Sequence, residues 1–593
     1  MKISKFSGKI ISIFLVTALV GIALPAWAGQ ETAAQNMDLP TAPTKSTIDT
    51  GHKFFTGAAY AGSKSCKNCH RKAYENWQKS WHSKANRAAT PDIILGDFNH
   101  VTLKFTRPKK LMDVNGKTVK EKITVTMLLH RDGKRFLFTI IDDKNPANNQ
   151  THEVAFVRGG NWEQHYYAKA GDNLFAAPMR WVVADKAWRT KGYNPGYWWI
   201  FRDGRAIPRT PEEFNKINYR SVAVKCAGCH QVGYQAVPDK ETGQWTGAGV
   251  EYGVGCESCH GPGSLHNKEA AQAKADHTEL VKTTIVNPIT DLNSLQQIQL
   301  CGRCHIRGND ASSLKISGKS KSFSYPREFL PGDANLHDIF VPWSYFSEGK
   351  VKSFWPDNQN RKNRQQYLDF IQSKHFTEEI TCNSCHSTCN AGADRDLRMA
   401  KEQICNSCHR ENGRAKRPNM EMFTGSAMQT AGVTCVDCHM PLVAYGSAGT
   451  AKMKQHWDRR SHTFKFIGPE NKERWAMRVA CDQCHVKPES GEQPCLIKAY
   501  AIQTNDESRE WLNEHKQIIR QKINQAIAAI AAGEKAIKDN KNIATEAAGT
   551  KLALARKNVD FVLLDGSWGF HNFSKADALL DAAITAATSA GGN

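Results

Sequence analysis

The pattern of hydrophobic and polar residues first predicts an exported chain. An apolar run from Ile10 to Leu24 follows a lysine-containing start and precedes a small-residue cleavage site at 26–28. This order predicts a secretory signal peptide over residues 1–28, and the run is short for a membrane span. The polar stretch that follows predicts a flexible leader over residues 29–57.

A second pattern, rich in β-branched and aromatic residues, lies between residues 100 and 200. The runs 101–105, 123–128 and 136–141 read as strands, and Asn115-Gly116 and Asp132-Gly133 are turn signals between them. We expect a small antiparallel β insert here. The stretch from Gly159 to Trp199 is crowded with aromatic residues, which we expect to pack over the first three motifs described below.

The end of the chain is helical in pattern. One apolar face repeats at about 3.6 residues and comprises Leu512, Ile519, Ile523, Ile527 and Ile530. Gly533 and residues 538–542 weaken or interrupt this helix. A second helix is predicted over 547–564, and a third starts at Ser574 as its cap. The turn between them carries His571 beside aromatic residues, so a helix pair delivering this His is one interpretation, and a simple hairpin with a surface His is the other.

Between and around these regions one short motif, C-x-x-C-H, occurs eight times. Numbered first to eighth in chain order, the copies are Cys66, Cys69, His70; Cys226, Cys229, His230; Cys256, Cys259, His260; Cys301, Cys304, His305; Cys382, Cys385, His386; Cys405, Cys408, His409; Cys435, Cys438, His439; and Cys481, Cys484, His485. Two Cys at this spacing form thioethers with the vinyl groups of a haem, and the adjacent His ligates its iron. Eight intact copies predict eight covalently attached c-type haems.

The remaining cysteines have a different role. The eight motifs use sixteen of the 18 Cys and leave Cys389 and Cys495. The Cys content is therefore explained by haem attachment and not by a disulfide framework. The two extra residues are either a disulfide or inert thiols, or they form a Cu(I) site, since paired thiolates suit that ion.

The positive net charge does not by itself indicate a nucleic acid partner. The chain carries a formal charge of +21, which would ordinarily indicate an anionic partner. Haem propionates would offset most of this charge, because each haem brings two carboxylates that pair with Lys and Arg. We therefore expect no nucleic acid partner.

Haem iron also needs a ligand on the side opposite the motif His. Of the 22 His, eight belong to motifs and 14 remain. The distal candidates are His82, His266, His375, His462 and His571, and His337 and His456 are further possibilities. His165 is either such a ligand or a core His with satisfied hydrogen bonds.

Several stretches resemble periplasmic multihaem cytochromes c. They are YAGSKSCKNCH, GVGCESCHGPGSLH, CGRCHIRG, QSKHFTEEITCNSCH, AGVTCVDCHMP, SHTF and ACDQCH, between residues 58 and 487. The C-terminal part through DGSWGFHN also resembles pentahaem nitrite reductases and octahaem hydroxylamine oxidoreductases. The resemblance implies stacked haem pairs with helices between them. The C-x-x-C-K motif of the nitrite reductases is missing, since the fourth motif keeps His305, as the hydroxylamine oxidoreductases do.

Two functions follow from these features. The preferred one is a periplasmic octahaem cytochrome that carries electrons along mostly bis-His haems. The alternative is an oxidoreductase for a small nitrogen or sulfur compound (nitrite, hydroxylamine, sulfite or tetrathionate) at one open haem. The resemblance implies the fourth haem for this role, with His337, Asp338 and Asp333 as catalytic candidates. Expected partners are other cytochromes or a quinol-oxidising complex, with no membrane span after signal cleavage. An extracellular or outer-surface location is the alternative to the periplasm.

The predicted fold is a mainly α-helical and irregular multihaem cytochrome c fold organised around eight stacked haems. A small antiparallel β insert and a C-terminal long-helix bundle complete it. The expected segments are a first-haem segment at 58–99, the insert at 100–200, a core with haems two to eight at 201–495 and a helical domain at 496–593.

Overall fold

The structure is a computed structural model that describes residues 54–466 and 505–591 with short gaps. The gaps fall at 107–109, 116, 120–122, 191–194, 218–219, 240, 242, 281–282, 314–321, 344–353, 356, 390–395, 446–456 and 541–542. The predicted signal peptide, the leader up to residue 53, the eighth motif and Cys495 lie outside the described residues.

The β structure is more extensive than a small insert. The strands in chain order are β1 (Asn86–Ala88), β2 (Val101–Thr106), β3 (Leu111–Asp113), β4 (Thr118–Val119), β5 (Thr124–Asp132), β6 (Arg135–Ile141), β7 (Gln150–Gly159), β8 (Glu163–Ala170), β9 (Asn173–Val182), β10 (Ala187–Thr190), β11 (Trp199–Arg202), β12 (Arg205–Pro208), β13 (Gln231–Val232), β14 (Gln235–Pro238), β15 (Trp245–Ala248), β16 (Glu251–Tyr252), β17 (Gly308–Asp310), β18 (Phe340–Pro342), β19 (Leu442–Tyr445) and β20 (Trp457–Arg460).

One eight-stranded antiparallel sheet dominates this part of the chain. Its order is β10-β9-β8-β7-β6-β5-β2. The eighth strand, β1, stands outside this order and pairs with residues 156–158 of β7. The three predicted runs correspond to β2, β5 and β6, so these strands are confirmed, and the Asp132-Gly133 turn joins β5 to β6. A four-stranded sheet in the order β12-β11-β3-β4 accompanies it.

The aromatic residues after Gly159 mostly form the core of this sheet, and one of them packs beside a motif. Successive strand residues point to opposite faces, and both faces of β8 are covered. Tyr166 lies in the cluster that contains the fully buried Trp198 and Trp199. Its neighbour Tyr167 points the other way and packs against Val222 beside the second motif. The sequence pattern could not separate these two faces because Glu163, Gln164 and His165 are buried together with the aromatic residues, so the strand shows no two-residue alternation.

Many of the described helices are single turns, and six of the described helices include residues of the motifs. In chain order the helices are α1 (Arg71–Lys79), α2 (Pro195–Trp198), α3 (Pro211–Phe214), α4 (Val222–Lys225), α5 (Ala227–His230), α6 (Glu257–His260), α7 (Ser264–Ala275), α8 (Ser294–Gly302), α9 (Leu336–Ile339), α10 (Gln366–Phe370), α11 (Lys374–Thr377), α12 (Cys382–Cys385), α13 (Lys401–Cys408), α14 (Asn419–Phe423), α15 (Ala427–Thr430), α16 (Cys435–His439), α17 (Asn505–Asp539), α18 (Thr545–Asp565) and α19 (Phe573–Ala590).

The last three helices pack together as predicted. Ile519, Ile523 and Ile530 of α17 are buried against α18 and α19. Ile527 is 42% exposed, so its assignment to the buried face was wrong. Helix α17 runs without a break through Gly533 to Asp539, since packing on two neighbouring helices outweighs the intrinsic cost of one glycine.

The third C-terminal helix begins earlier than expected. Its N-cap is Asn572 and not Ser574, and the Asn572 side chain accepts a hydrogen bond from the backbone N–H of Lys575. Of the helices in the described part of the chain, none combines the length and apolar character needed to cross a bilayer.

Candidate functional site

The motifs are held as single helical turns, and this sets their geometry. In the fourth motif the backbone N–H of His305 donates to the carbonyl of Cys301 at 3.1 Å, and the third, fifth and sixth motifs make the equivalent bond. Residues at positions i, i+3 and i+4 of a helix share one side. The two Cys and the His of each motif therefore face the same space, as one covalently attached haem requires.

Local sequence explains how some of these turns are placed. Helix α8, which ends in the fourth motif, begins with Asn293 and Gln296 in a reciprocal capping arrangement. Thr434 and Asp437 make a similar arrangement at α16, which is the seventh motif. Such caps fix the first turn of a helix and with it the direction of the motif side chains.

Five motif His rings in the described part of the chain each face a second His ring. The centroid separations are 6.3 Å for His70–His266, 6.2 Å for His82–His305, 5.9 Å for His375–His409, 6.5 Å for His386–His462 and 6.1 Å for His439–His571. Since a ring nitrogen binds a metal ion at about 2 Å, two imidazoles on opposite sides of one ion have centroids about 6 Å apart. The spacing fits one iron atom between the members of each pair.

Each of the five distal candidates from the sequence belongs to one of these pairs. His82 lies beyond α1, because that helix ends at Lys79 and the chain turns before reaching His82. His571 comes from the turn after α18, where Gly566 takes a left-handed conformation with φ 69° and ends the helix. His266 follows the third motif but faces His70 of the first.

Several of these rings are oriented by a hydrogen bond at Nδ1. The acceptor or partner atoms are Asp396 Oδ2 for His82 (3.3 Å), Thr283 Oγ1 for His266 (2.6 Å), Gln366 Oε1 for His305 (3.4 Å), Phe464 O for His439 (3.4 Å) and Arg460 O for His462 (3.2 Å). A proton on Nδ1 leaves Nε2 free to bind a metal. Burial lowers the pKa of His305 and of His462 to about 4, which favours the neutral ring that binds a metal.

The seventh motif has the shortest of the bonds to a carboxylate. His571 Nδ1 lies 2.6 Å from Asp565 Oδ1, and Asp565 is 4% exposed. Burial alone would raise the pKa of Asp565, but hydrogen bonds from His571, Ser567 and Asn419 hold it below its ordinary value. Asn419 also faces His409 of the sixth motif, with its Oδ1 3.3 Å from His409 Nδ1.

Two other His residues are explained by the β structure. His165 is a core residue, since its Nε2 lies 2.6 Å from Glu163 Oε1 within β8 and both side chains are buried. His100 and His130 also have ring centroids 6.5 Å apart, but His100 is exposed and neither belongs to a Cys motif. The ring spacing is thus informative only together with the motif.

The catalytic candidates of the sequence stand beside the fourth motif but do not face its His. His337 Nε2 is hydrogen-bonded to the Tyr367 hydroxyl at 2.8 Å, and Asp338 is exposed. Asp333 is buried and accepts a hydrogen bond from the backbone N–H of Leu330 at 2.7 Å. The ring opposite His305 belongs to His82.

The second and third motifs differ from the other described ones. Among the described residues, no His ring lies at contact distance from His230 or His260. The Nδ1–H of His260 donates to the carbonyl of Val286 at 2.7 Å. His230 has no hydrogen bond at its buried Nδ1. Burial, then the nearby Arg158 and Arg364, lower the pKa of His230 to about 3.

Cysteines of different motifs lie close together. Side-chain interactions shift the thiol pKa values within four pairs, which are Cys66 and Cys256, Cys229 and Cys304, Cys301 and Cys382, and Cys405 and Cys435. These contacts join the first motif to the third, the second to the fourth, the fourth to the fifth and the sixth to the seventh. Electrostatic interactions of Cys259 with Cys301 and of Cys385 with Cys408 join the remaining neighbours. The seven described motifs therefore form one connected group.

Cys389 lies near this group as a free thiol. It interacts electrostatically with Cys256 and Cys259 of the third motif. Cys495, its partner in the disulfide and copper alternatives, lies outside the described residues.

Two family models match parts of the chain that carry motifs. The model "Cytochrome c552" matches residues 408–593, which include the seventh and eighth motifs. The model "Cytochrome c554 and c-prime" matches residues 65–94 and 208–261, which include the first three motifs. The chain is a multihaem c-type cytochrome. The resemblance stated from the motifs is thereby confirmed, and the residues present fit covalently attached haem.

Solved structures of other cytochromes match this chain, and the first of them shares its fold. The outer cell wall cytochrome OcwA matches with a TM-score of 0.59 and 21% identity over 89% of this chain and 99% of that one. An undecahaem cytochrome from the S-layer of Carboxydothermus ferrireducens matches with a TM-score of 0.43 and 18% identity, over 90% and 70% of the two chains. The octahaem sulfite reductase MccA of Wolinella succinogenes matches with a TM-score of 0.43 and 14% identity, over 93% and 85%.

Proposed function

We propose that this cytochrome carries electrons along eight covalently attached haems, most of which are held by two His. The observation that supports this most strongly is the set of five facing His pairs. An iron atom with His on both sides has no position left for a substrate, so such a haem transfers electrons and does not bind reactants. The protein supplies the spacing, the axial ligands and the surrounding dielectric.

The contacts between motif cysteines suggest the order in which electrons pass. The first haem neighbours the third, and the path continues through the fourth, fifth, sixth and seventh. The second haem joins at the fourth, which makes the fourth a branch point. The eighth haem, on a motif outside the described residues, completes the proposed count.

The proposed location is the periplasm, with an extracellular position as the alternative. The signal-like start of the sequence supports export, and covalent haem attachment takes place outside the cytoplasm. The proposed partners are other cytochromes or a quinol-oxidising complex. The positive charge that remains after the haem propionates offset most of the +21 favours partners with an acidic docking face.

Protein-film voltammetry on the mature holoprotein tests this function. An electron carrier gives reversible haem signals whose size does not grow when nitrite, hydroxylamine, sulfite or tetrathionate is added. A sustained catalytic current with any of these compounds would contradict a purely electron-carrying role.

The oxidoreductase remains a second candidate, but at a different haem from the one first expected. His82 stands opposite His305, which argues against an open fourth haem. The second motif fits better, because the cationic Arg158 and Arg364 lie near His230. Guanidinium groups bind oxyanions through paired hydrogen bonds. A small oxyanion such as nitrite or sulfite is the class of substrate that this environment would accept.

Ligand titration of the oxidised holoprotein separates the two candidates. The oxidoreductase predicts a high-spin signal that cyanide removes stoichiometrically, and weaker nitrite binding in Arg364→Gln. A matched control is Arg361→Gln, whose guanidinium lies over the Trp355 ring. A spectrum that cyanide leaves unchanged would exclude the second candidate.

A further inference from the structure

The axial histidines differ in the chemistry of the groups that accept their Nδ1 protons. At His439 and His462 the acceptors are backbone carbonyls, and at His305 the acceptor is a side-chain amide. His571 instead donates to the carboxylate of Asp565 at 2.6 Å. His82 also faces a carboxylate, that of Asp396, but at 3.3 Å and with 35% of its own side chain exposed. The seventh motif thus has the closest carboxylate among these described contacts.

The surroundings of Asp565 keep it ionised and fixed. Its Oδ1 accepts from His571 and from the Asn419 side chain at 3.1 Å, and its Oδ2 accepts from the backbone N–H and the hydroxyl of Ser567. Because both oxygens of this carboxyl group accept hydrogen bonds and neither donates one, the group is deprotonated. At 4% exposure its charge is poorly screened by solvent.

A charged acceptor changes the ligand to which it is bonded. A carboxylate draws the Nδ1 proton of His571 towards itself and increases the electron density on the imidazole. A more electron-rich ligand stabilises ferric over ferrous iron, and burial of the charge strengthens the effect. Hydrogen bonds to neutral carbonyl or amide oxygens act in the same direction but less strongly.

The same carboxylate is connected to the neighbouring motif. The amide of Asn419 donates to Asp565, and its Oδ1 faces Nδ1 of His409 at 3.3 Å. The sequence of hydrogen bonds runs from His409 through Asn419 and Asp565 to His571. Since the helices α13 and α16 that carry the two motifs pack against each other, this network joins axial ligands of adjacent haems.

We propose that Asp565 gives the seventh haem a lower reduction potential than the sixth, so that an electron shared by this pair resides mainly on the sixth. Asn419 couples the two by bonding to the ligand of one and to the carboxylate that tunes the other. The inference rests on the proposed function only in taking His571 and His409 as ligands. It identifies Asp565 and Asn419 as positioning residues that set the direction of transfer along the array.

Spectropotentiometry of the holoprotein with Asp565→Asn tests the proposal. The change keeps an acceptor near His571 but removes its charge, so one haem midpoint potential rises while the low-spin bis-His spectrum persists. Asp577→Asn is the control, since Asp577 lies on α19 and pairs with Lys522 at 2.7 Å without contacting a motif His. Unchanged potentials in Asp565→Asn, or an equal rise in the control, would overturn the proposal.

A second variant predicts a shift of opposite sign. Ser567→Ala removes one donor from Asp565, leaves more charge for the bond to His571 and lowers the same midpoint potential. This variant decides the matter if Asp565→Asn does not fold, and an unchanged potential in Ser567→Ala would then overturn the proposal. Asn419→Leu shifts two midpoint potentials, because the residue contacts ligands of both haems, and a shift at one haem alone would refute the coupling.

The failure of the proposed ligation is distinguishable from the failure of this inference. His571→Ala turns one haem high-spin if His571 is a ligand. A low-spin spectrum in His571→Ala refutes the ligation and the inference with it. A high-spin spectrum there, with unchanged potentials in Asp565→Asn, refutes the inference alone.

Discussion

His82 and His305 face each other with ring centroids 6.2 Å apart, although they lie far apart in the sequence. The first segment of the cytochrome thus reaches across to the fourth motif. This relationship argues against the fourth haem as a substrate site, and His337 is hydrogen-bonded to Tyr367 instead of facing His305.

The first prediction concerns this pair. Replacing His82 with Ala removes the ring opposite His305, so the fourth haem becomes high-spin and binds cyanide. Electron paramagnetic resonance and a cyanide titration measure both effects. His337→Ala is the matched control and leaves the spin state unchanged, since His337 contacts Tyr367. A high-spin haem in His337→Ala and none in His82→Ala would reverse the assignment.

The second prediction concerns His571. His571→Ala turns one haem high-spin while covalent attachment stays intact, because the Cys and His of the seventh motif are untouched. The visible spectrum and the protein mass report these two properties separately. His515→Ala is the control, since that ring bonds to the Trp511 carbonyl within α17. An unchanged low-spin spectrum would mean that His571 is structural.

The third prediction is the haem count. The sequence carries eight intact motifs, of which the structure describes seven. Intact-mass measurement on protein matured in the periplasm is expected to show eight covalent haems. A reproducible mass for seven or fewer would refute the count.

The fourth prediction concerns the C-terminal helices. Leu580 of α19 is 0% exposed in the shared core, and Leu580→Ala costs about 2–5 kcal/mol of unfolding free energy through lost burial and a cavity. Leu554 of α18 is 51% exposed, and Leu554→Ala changes stability by less than about 0.5 kcal/mol. Denaturant unfolding followed by circular dichroism compares them. Equal losses would contradict the packing described for α19.

The motifs could be read from the sequence because their chemistry is local. Two Cys and a His within one helical turn suffice to identify each motif. Which distal His faces which motif could not be read in the same way. His266 follows the third motif but faces His70 of the first, since the chain path between motifs decides which ring meets which.

The β structure was underestimated for a similar reason. Strand β8 is covered on both faces, so it shows no alternation of polar and apolar residues that would reveal it. The helical end was predictable from its 3.6-residue period. The local errors there, at Ile527 and at the Asn572 cap, arise where helix packing and side-chain capping decide between adjacent positions.

The spin states of the oxidised holoprotein test the central claim most directly. Quantitative electron paramagnetic resonance, normalised to the haem content, counts low-spin and high-spin ferric haems. The five facing His pairs predict that at least five haems are low-spin with two imidazole ligands. Fewer than five low-spin haems in the intact protein would contradict the account of an electron-carrying array.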